Sequence, residues 1–169
     1  MRRAILLTGF NNWGKTTHIC SLFNRSRFYF GSTYSIAGVN ASFTVESHSN
    51  DDYSATRYID VLLERINRSP DNGENLFCPL CPSREAANDS RSILTQLPLS
   101  KYGEVYLFYL KFKWDHHAEL RIKDIQKHLV GINSIREFVV DADSNLNGDS
   151  NRSNAREGQI ISKLQQIFP

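Results

Sequence analysis

Long apolar runs are scarce in this sequence. None approaches the roughly 18 consecutive apolar residues of a membrane-spanning helix. The N-terminal run Ala4-Ile5-Leu6-Leu7 stops at Thr8-Gly9, short of the roughly 7 to 15 residues in the core of a secretory signal. Cysteine is scarce too: Cys20, Cys78 and Cys81 cannot all pair, which argues against a disulfide framework. Charge of one sign is absent, since 20 Lys and Arg against 18 Asp and Glu leave a formal +2. That balance names neither a nucleic acid nor an anionic membrane as a partner. These absences predict a soluble, reduced, cytoplasmic protein without a membrane contact. The composition is not that of a disordered chain either. At 40% apolar and 22% charged residues, the 169 residues suffice for one domain, 1–169, with a sizeable core.

The apolar pattern alternates between strand-like and helix-like pieces. Residues 4–7 form a short continuous run stopped by Gly9, suited to a strand buried on both faces. Ile19, Leu22 and Phe23 have helical spacing over 15–23, and β-rich pieces follow at 28–30, 34–39 and 42–45. Ala55, Tyr58, Ile59, Leu62, Leu63 and Ile66 form one helical stripe. Weak periodicity over about 68–100 predicts an irregular crossover with one short helix near 91–97. A strand is expected over 105–110, running on in alternation to Trp114, then a helix carrying Ala118, Ile122, Ile125 and Leu129. A buried strand at 138–140, a polar loop at about 143–154 and a final helix over 160–168 complete the chain. Strands alternating with helices predict an α/β fold, a mostly parallel sheet flanked by helices.

Between the first strand and the first helix lies Gly9-Phe10-Asn11-Asn12-Trp13-Gly14-Lys15-Thr16. It fits G-x-x-x-x-G-K-[ST] without a mismatch, in the strand-loop-helix setting that a phosphate loop requires. The glycines, with Asn11 and Asn12, which tolerate left-handed backbone, let successive N–H groups around Trp13 and Gly14 face phosphate oxygens. The helix N-terminus adds its positive end. Lys15, the catalytic candidate, would reach the β- and γ-phosphates; Thr16 would ligate Mg²⁺, and Thr17 would touch the α-phosphate. Trp13 reads as a packing aromatic rather than a lid.

On these residues the chain resembles the P-loop NTPases, and its layout is similar to the small Ras-type GTPases over most of its length. The resemblance implies a switch threonine at Thr33, with Ser35 as rival. It also implies base contacts from Lys113 and Asp115, the matching positions of an Asn-Lys-x-Asp motif in which Phe112 replaces the asparagine, and from Ala142 in Asp141-Ala142-Asp143. No Asp-x-x-Gly follows Val45, so the family's metal-anchoring aspartate and phosphate-sensing glycine are missing, and ATP and GTP both stay open as ligands. Metal ligation is expected from Thr16, Thr33 and a carboxylate after a strand. Glu46 is nominated, with Asp51, Asp115 and Asp141 as rivals.

Cys78-Pro79-Leu80-Cys81 offers half a zinc site with no second pair, so two reduced thiols are expected there. Arg152 and Arg156 border the polar loop, where a solvated position is the plainer reading and a phosphate or base contact the functional one. The sequence therefore predicts a Mg²⁺-dependent protein binding a nucleoside triphosphate, a slow hydrolase or nucleotide-dependent switch with room for a protein partner. A small-molecule or nucleotide kinase and a non-catalytic nucleotide sensor are the alternatives.

Overall fold

The computed structural model describes residues 1–169. Strand β1 (Arg3–Thr8) is the axis of the fold: Ala4, Ile5, Leu6 and Leu7 are fully buried, as a strand covered on both faces must be. It pairs in parallel with β4 (Asn75–Leu80) on one side and β5 (Glu104–Leu110) on the other. Beyond β4 lie β3 (Ser42–Val45) and the two-residue β2 (Tyr34–Ser35); beyond β5 lies β6 (Ile135–Val140). The six-stranded order is β2-β3-β4-β1-β5-β6, with only β2 antiparallel to its neighbour. The expected α/β fold with a mostly parallel sheet is the one observed.

Five helices flank this sheet: α1 (Lys15–Leu22), α2 (Ala55–Arg68), α3 (Ser90–Thr95), α4 (Ile122–Leu129) and α5 (Asp149–Ile167). Right-handed crossovers put α1 and α5 on one face and α2, α3 and α4 on the other. Polar ties agree with that division. His18 and Ser21 of α1 meet Glu157 of α5 at 3.1 and 2.8 Å, while Arg91 of α3 donates to the His128 carbonyl of α4 at 2.9 Å. Helix α2 starts where the Ser54 side chain accepts from the Arg57 amide. It buries Tyr58, Val61, Leu62 and Ile66.

Several expectations need correction. The crossover assigned to 68–100 contains a central strand, β4. Pro79 and two cysteines masked it, since proline cannot donate to a sheet ladder, yet Pro79 pairs with Leu7 in register near the strand's end. Strand β5 stops at Leu110; beyond it only an isolated bridge from Phe112 to Glu119 survives, and α4 begins at Ile122, after Ala118. Residues 28–30 and 36–39 are not strand. Phe28 instead packs edge-on against Phe23 and Tyr34, and its carbonyl takes two bonds from Arg65. Helix α5 begins at Asp149, inside the stretch read as a polar loop, so Arg152 and Arg156 are helical.

Candidate functional site

The chain leaving β1 turns through α1 toward β3, while the chain leaving β5 turns through α4 toward β6. Loops that diverge in this way leave a crevice at the carboxyl ends of β1 and β5, where open α/β sheets bind ligands. A cleft of about 730 Å³ lies there, within the usual range for small-molecule sites. Its floor is the loop between β1 and α1, and its rim is built from residues 49–52, from Lys113 and Trp114, and from the first turns of α5.

The loop is shaped by four residues. Asn12 (φ 57°) and Gly14 (φ 87°) adopt the left-handed conformation, and Gly14 caps α1. Trp13 is 5% exposed and donates its indole N–H to the Leu110 carbonyl at 2.8 Å, which ties the loop to the end of β5. The packing role expected for it is the one seen. Gly9 is required beneath it, because a Cβ there would come within 2.8 Å of the Trp13 ring. As a result, the amides of Gly14, Lys15, Thr16 and Thr17 meet no protein acceptor and open on the cleft.

Lys15 is 6% exposed; its ammonium donates to the Phe10 carbonyl at 2.8 Å and lies 3.5 Å from an Asp51 carboxylate oxygen. Thr16 donates to the Ser47 carbonyl at 2.7 Å. Asp51 is held by its neighbour: buried Asn50 bonds both the amide and the carbonyl of Cys81 at 2.7 and 3.0 Å, and Asn88 donates to the Asn50 carbonyl at 2.7 Å. The segment after β3 is thereby clipped to the segment after β4.

Across the cleft, α5 contributes two arginines of different kinds. Arg156 is a structural residue: it bonds the fully buried Asp143 at 2.6 and 2.7 Å and the Lys113 carbonyl at 3.0 Å, with His116 on the same carboxylate at 2.7 Å. Burial pushes the Asp143 carboxyl up, but hydrogen bonds from Arg156 and His116 outweigh it and hold the group below the ordinary aspartate value. Arg152 lines the cleft, pairs with the exposed Asp149, and keeps a buried Nε without a partner.

Of the residues singled out from sequence, Asn11, Asn12, Trp13, Gly14, Lys15, Thr16, Thr17 and Lys113 line this one cleft. Gly9 supports it from below. Four others do not join them. Glu46 is 1% exposed and fully engaged, paired with Arg65 and accepting from the amides of Ser47 and His48 at 2.9 and 2.8 Å, so no oxygen is left for a metal. Thr33 precedes the edge strand β2 and is no part of the cleft wall. Asp115 turns back to Lys113 and His117. The Ala142 amide, which a base contact would need free, donates to Gln159 at 2.8 Å, as does that of Asp141.

The sequence reading passed over Ser49, Asp52, Asp149 and Ser153 on the cleft wall, and it ranked Asp51 behind Glu46. No local signal marked Asp51 and Asp52: they follow β3, which β4 separates from β1, so only the sheet order and the Asn50 clip bring them to the cleft. No cluster of three or more His, Cys, Asp or Glu side chains is poised to hold a metal. Burial raises the Cys78 thiol to about 12 and the Cys81 thiol to about 11, so both stay protonated near neutral pH. No helix is long and apolar enough to cross a membrane. No protein-family model, curated protein or solved structure matches the chain.

Proposed function

We propose that this chain binds a Mg²⁺-complexed nucleoside triphosphate over the loop 9–16 and slowly transfers its γ-phosphoryl group to water. One observation carries the reading: four consecutive amides without protein acceptors, from Gly14 to Thr17, open on the same cleft as the buried ammonium of Lys15. Backbone N–H groups at a helix start, together with a lysine, form an anion site for a polyphosphate. Lys113, Trp114 and Arg152 line the same cleft and are the groups a nucleoside would meet. The unpartnered Nε of Arg152 is a donor with no competing acceptor in the protein.

The donor set suits magnesium. That ion takes few protein oxygens and fills its octahedron with substrate phosphates and water, and Thr16 offers a hydroxyl beside the loop. When bound, Mg²⁺ neutralises charge on the phosphate oxygens. Lys15 and the loop amides then hold the γ-phosphate and stabilise charge that develops on it. His18, the only histidine on the cleft wall, is held through its Nδ1 by Glu157.

The test is Lys15→Ala, assayed for folding by circular dichroism and for triphosphate affinity by calorimetry in Mg²⁺. Loss of at least about tenfold in affinity, or roughly 1.4 kcal/mol, is expected with an unchanged fold. Equal affinity in the folded variant would refute the reading.

A further inference from the structure

Helix α1 lays one ring back over the loop that precedes it. Side chains on a helix lean toward its N-terminus, so His18 covers the turn that begins at Gly14, four residues before it. Its Cδ2 and Nε2 lie 3.6 and 3.7 Å from where a Gly14 Cβ would stand, and glycine leaves that edge of the ring uncovered. The residue is 4% exposed, lines the cleft, and makes its one side-chain bond through Nδ1, to Glu157 at 3.1 Å. Nε2 therefore has no partner in the protein, although the ring that carries it is packed away from bulk water.

Glu157 decides which ring nitrogen holds the proton. Its carboxylate also accepts from Ser21 Oγ at 2.8 Å and from Ser153 Oγ at 3.1 Å. Burial pushes this carboxyl up, but the bonds from His18, Ser21 and Ser153 outweigh it and hold the group below the ordinary glutamate value. An ionised carboxylate only accepts, so Nδ1 is the donor, and the neutral imidazole is left with a lone pair on Nε2. What faces the cleft beside Gly14 is an acceptor.

Another acceptor cannot satisfy it. Ionised polyphosphate oxygens have no proton to give, and their natural partners are the loop amides and the Lys15 ammonium. The donors of a nucleoside triphosphate are its sugar hydroxyls and the N–H groups of its base. The sugar is bonded directly to the α-phosphate, and the base lies one ring further on. Nε2 stands beside the first of the free amides, so the sugar is the part within its reach. We propose that His18 Nε2 accepts a hydrogen bond from a ribose hydroxyl of the bound nucleotide and makes the cleft selective for ribonucleotides over deoxyribonucleotides. The inference rests on the triphosphate reading of the cleft. His18 is a binding residue through which no step of phosphoryl transfer passes, and Glu157, Ser21 and Ser153 act through it as positioning residues.

The experiment measures, by calorimetry in Mg²⁺, the affinities of the full chain for ATP and GTP and for their 2′-deoxy and 3′-deoxy analogues. At least one deoxy form is expected to bind about 5- to 100-fold more weakly than its parent, the range for leaving a buried acceptor unpaired. His18→Asn keeps an amide donor near the position of Nδ1 for Glu157 and removes Nε2. It should bring that ratio to about one, chiefly by weakening the ribonucleotide. In the wild type, the imidazole nitrogen resonances should place the proton on Nδ1, and the Nε2 resonance should move more with the ribonucleotide than with the weaker deoxy analogue. That readout stands even if the variant fails to fold. Equal affinity for the parent and both analogues, a preference that His18→Asn keeps in full, or a proton on Nε2 would each overturn the proposal while leaving the triphosphate reading standing. Failure of both ATP and GTP to bind would overturn both.

Discussion

Single side chains divide here by whether their charge is already answered. Lys15 sits in a polar pocket with one carbonyl and one carboxylate, and four unanswered amides beside it. Glu46 has the opposite character, buried and saturated by Arg65 and two amides. The sequence nominates both, Lys15 through its motif at the start of α1 and Glu46 through its place directly after β3. Only the tertiary partner separates them: Arg65 lies 19 residues away on α2, at a distance no local pattern reports. Removing one partner of a buried pair typically costs about 3 to 5 kcal/mol. Glu46→Gln should therefore lower the unfolding free energy from urea titration by an amount of that order and leave the Mg²⁺ dependence of nucleotide binding as it was; an altered Mg²⁺ dependence in a stable variant would return Glu46 to the metal. A related expectation concerns Asp115. Its side chain turns away from the cleft to Lys113 and His117, so Asp115→Asn should leave the ratio of ATP to GTP affinity unchanged. A shift in that ratio, measured by competition, would restore it as a base contact.

At the scale of elements, the strand-loop-helix unit of β1 and α1 was legible because its spacing, its strand and its helix all lie within 20 residues. Strand β4 was not, because Pro79 and the polar flanks hide a strand whose stability comes from β1 and β3 on either side. The boundary of α5 was missed for a different reason. Its first two turns are rich in Asp, Ser and Asn, poor helix formers, and they are held by tertiary contacts of Arg156 rather than by propensity. Asp143 ties the segment after β6 to α5, while Arg156 reaches the carbonyl of Lys113 beyond β5. The Asp143 carboxyl is lowered in the folded protein, so the stability it confers is complete above about 4, the ordinary aspartate value, and is lost as pH falls through the lowered value. Asp143→Asn should cost about 3 to 5 kcal/mol at pH 7. That deficit, followed by denaturant titration, should narrow as the pH drops below about 4. A deficit independent of pH would show that the carboxylate charge is not what Arg156 requires.

Over the whole molecule, the order β3-β4-β1-β5-β6 puts the divergence of chain paths between β1 and β5. One face carries α1 and α5 with the cleft over the β1–α1 loop; the other carries α3 and α4 with a second cavity of about 1010 Å³. The α/β class and the floor of the cleft could be read from hydrophobic period and one motif. The rim could not, because residues 49–52, 113–114 and 149–156 come together only through the sheet order, which no short segment encodes. That convergence puts both tryptophans of the chain, Trp13 and Trp114, on the wall of the cleft. Tryptophan emission therefore reports its occupancy without a label. The decisive measurement is a titration of the wild-type protein with ATP and with GTP in Mg²⁺, followed by that emission. The account predicts a saturable change for at least one of the two nucleotides, and its loss in Lys15→Ala at the same concentrations. An emission unmoved by either nucleotide at millimolar concentration, or a change that Lys15→Ala retains in full, would contradict it.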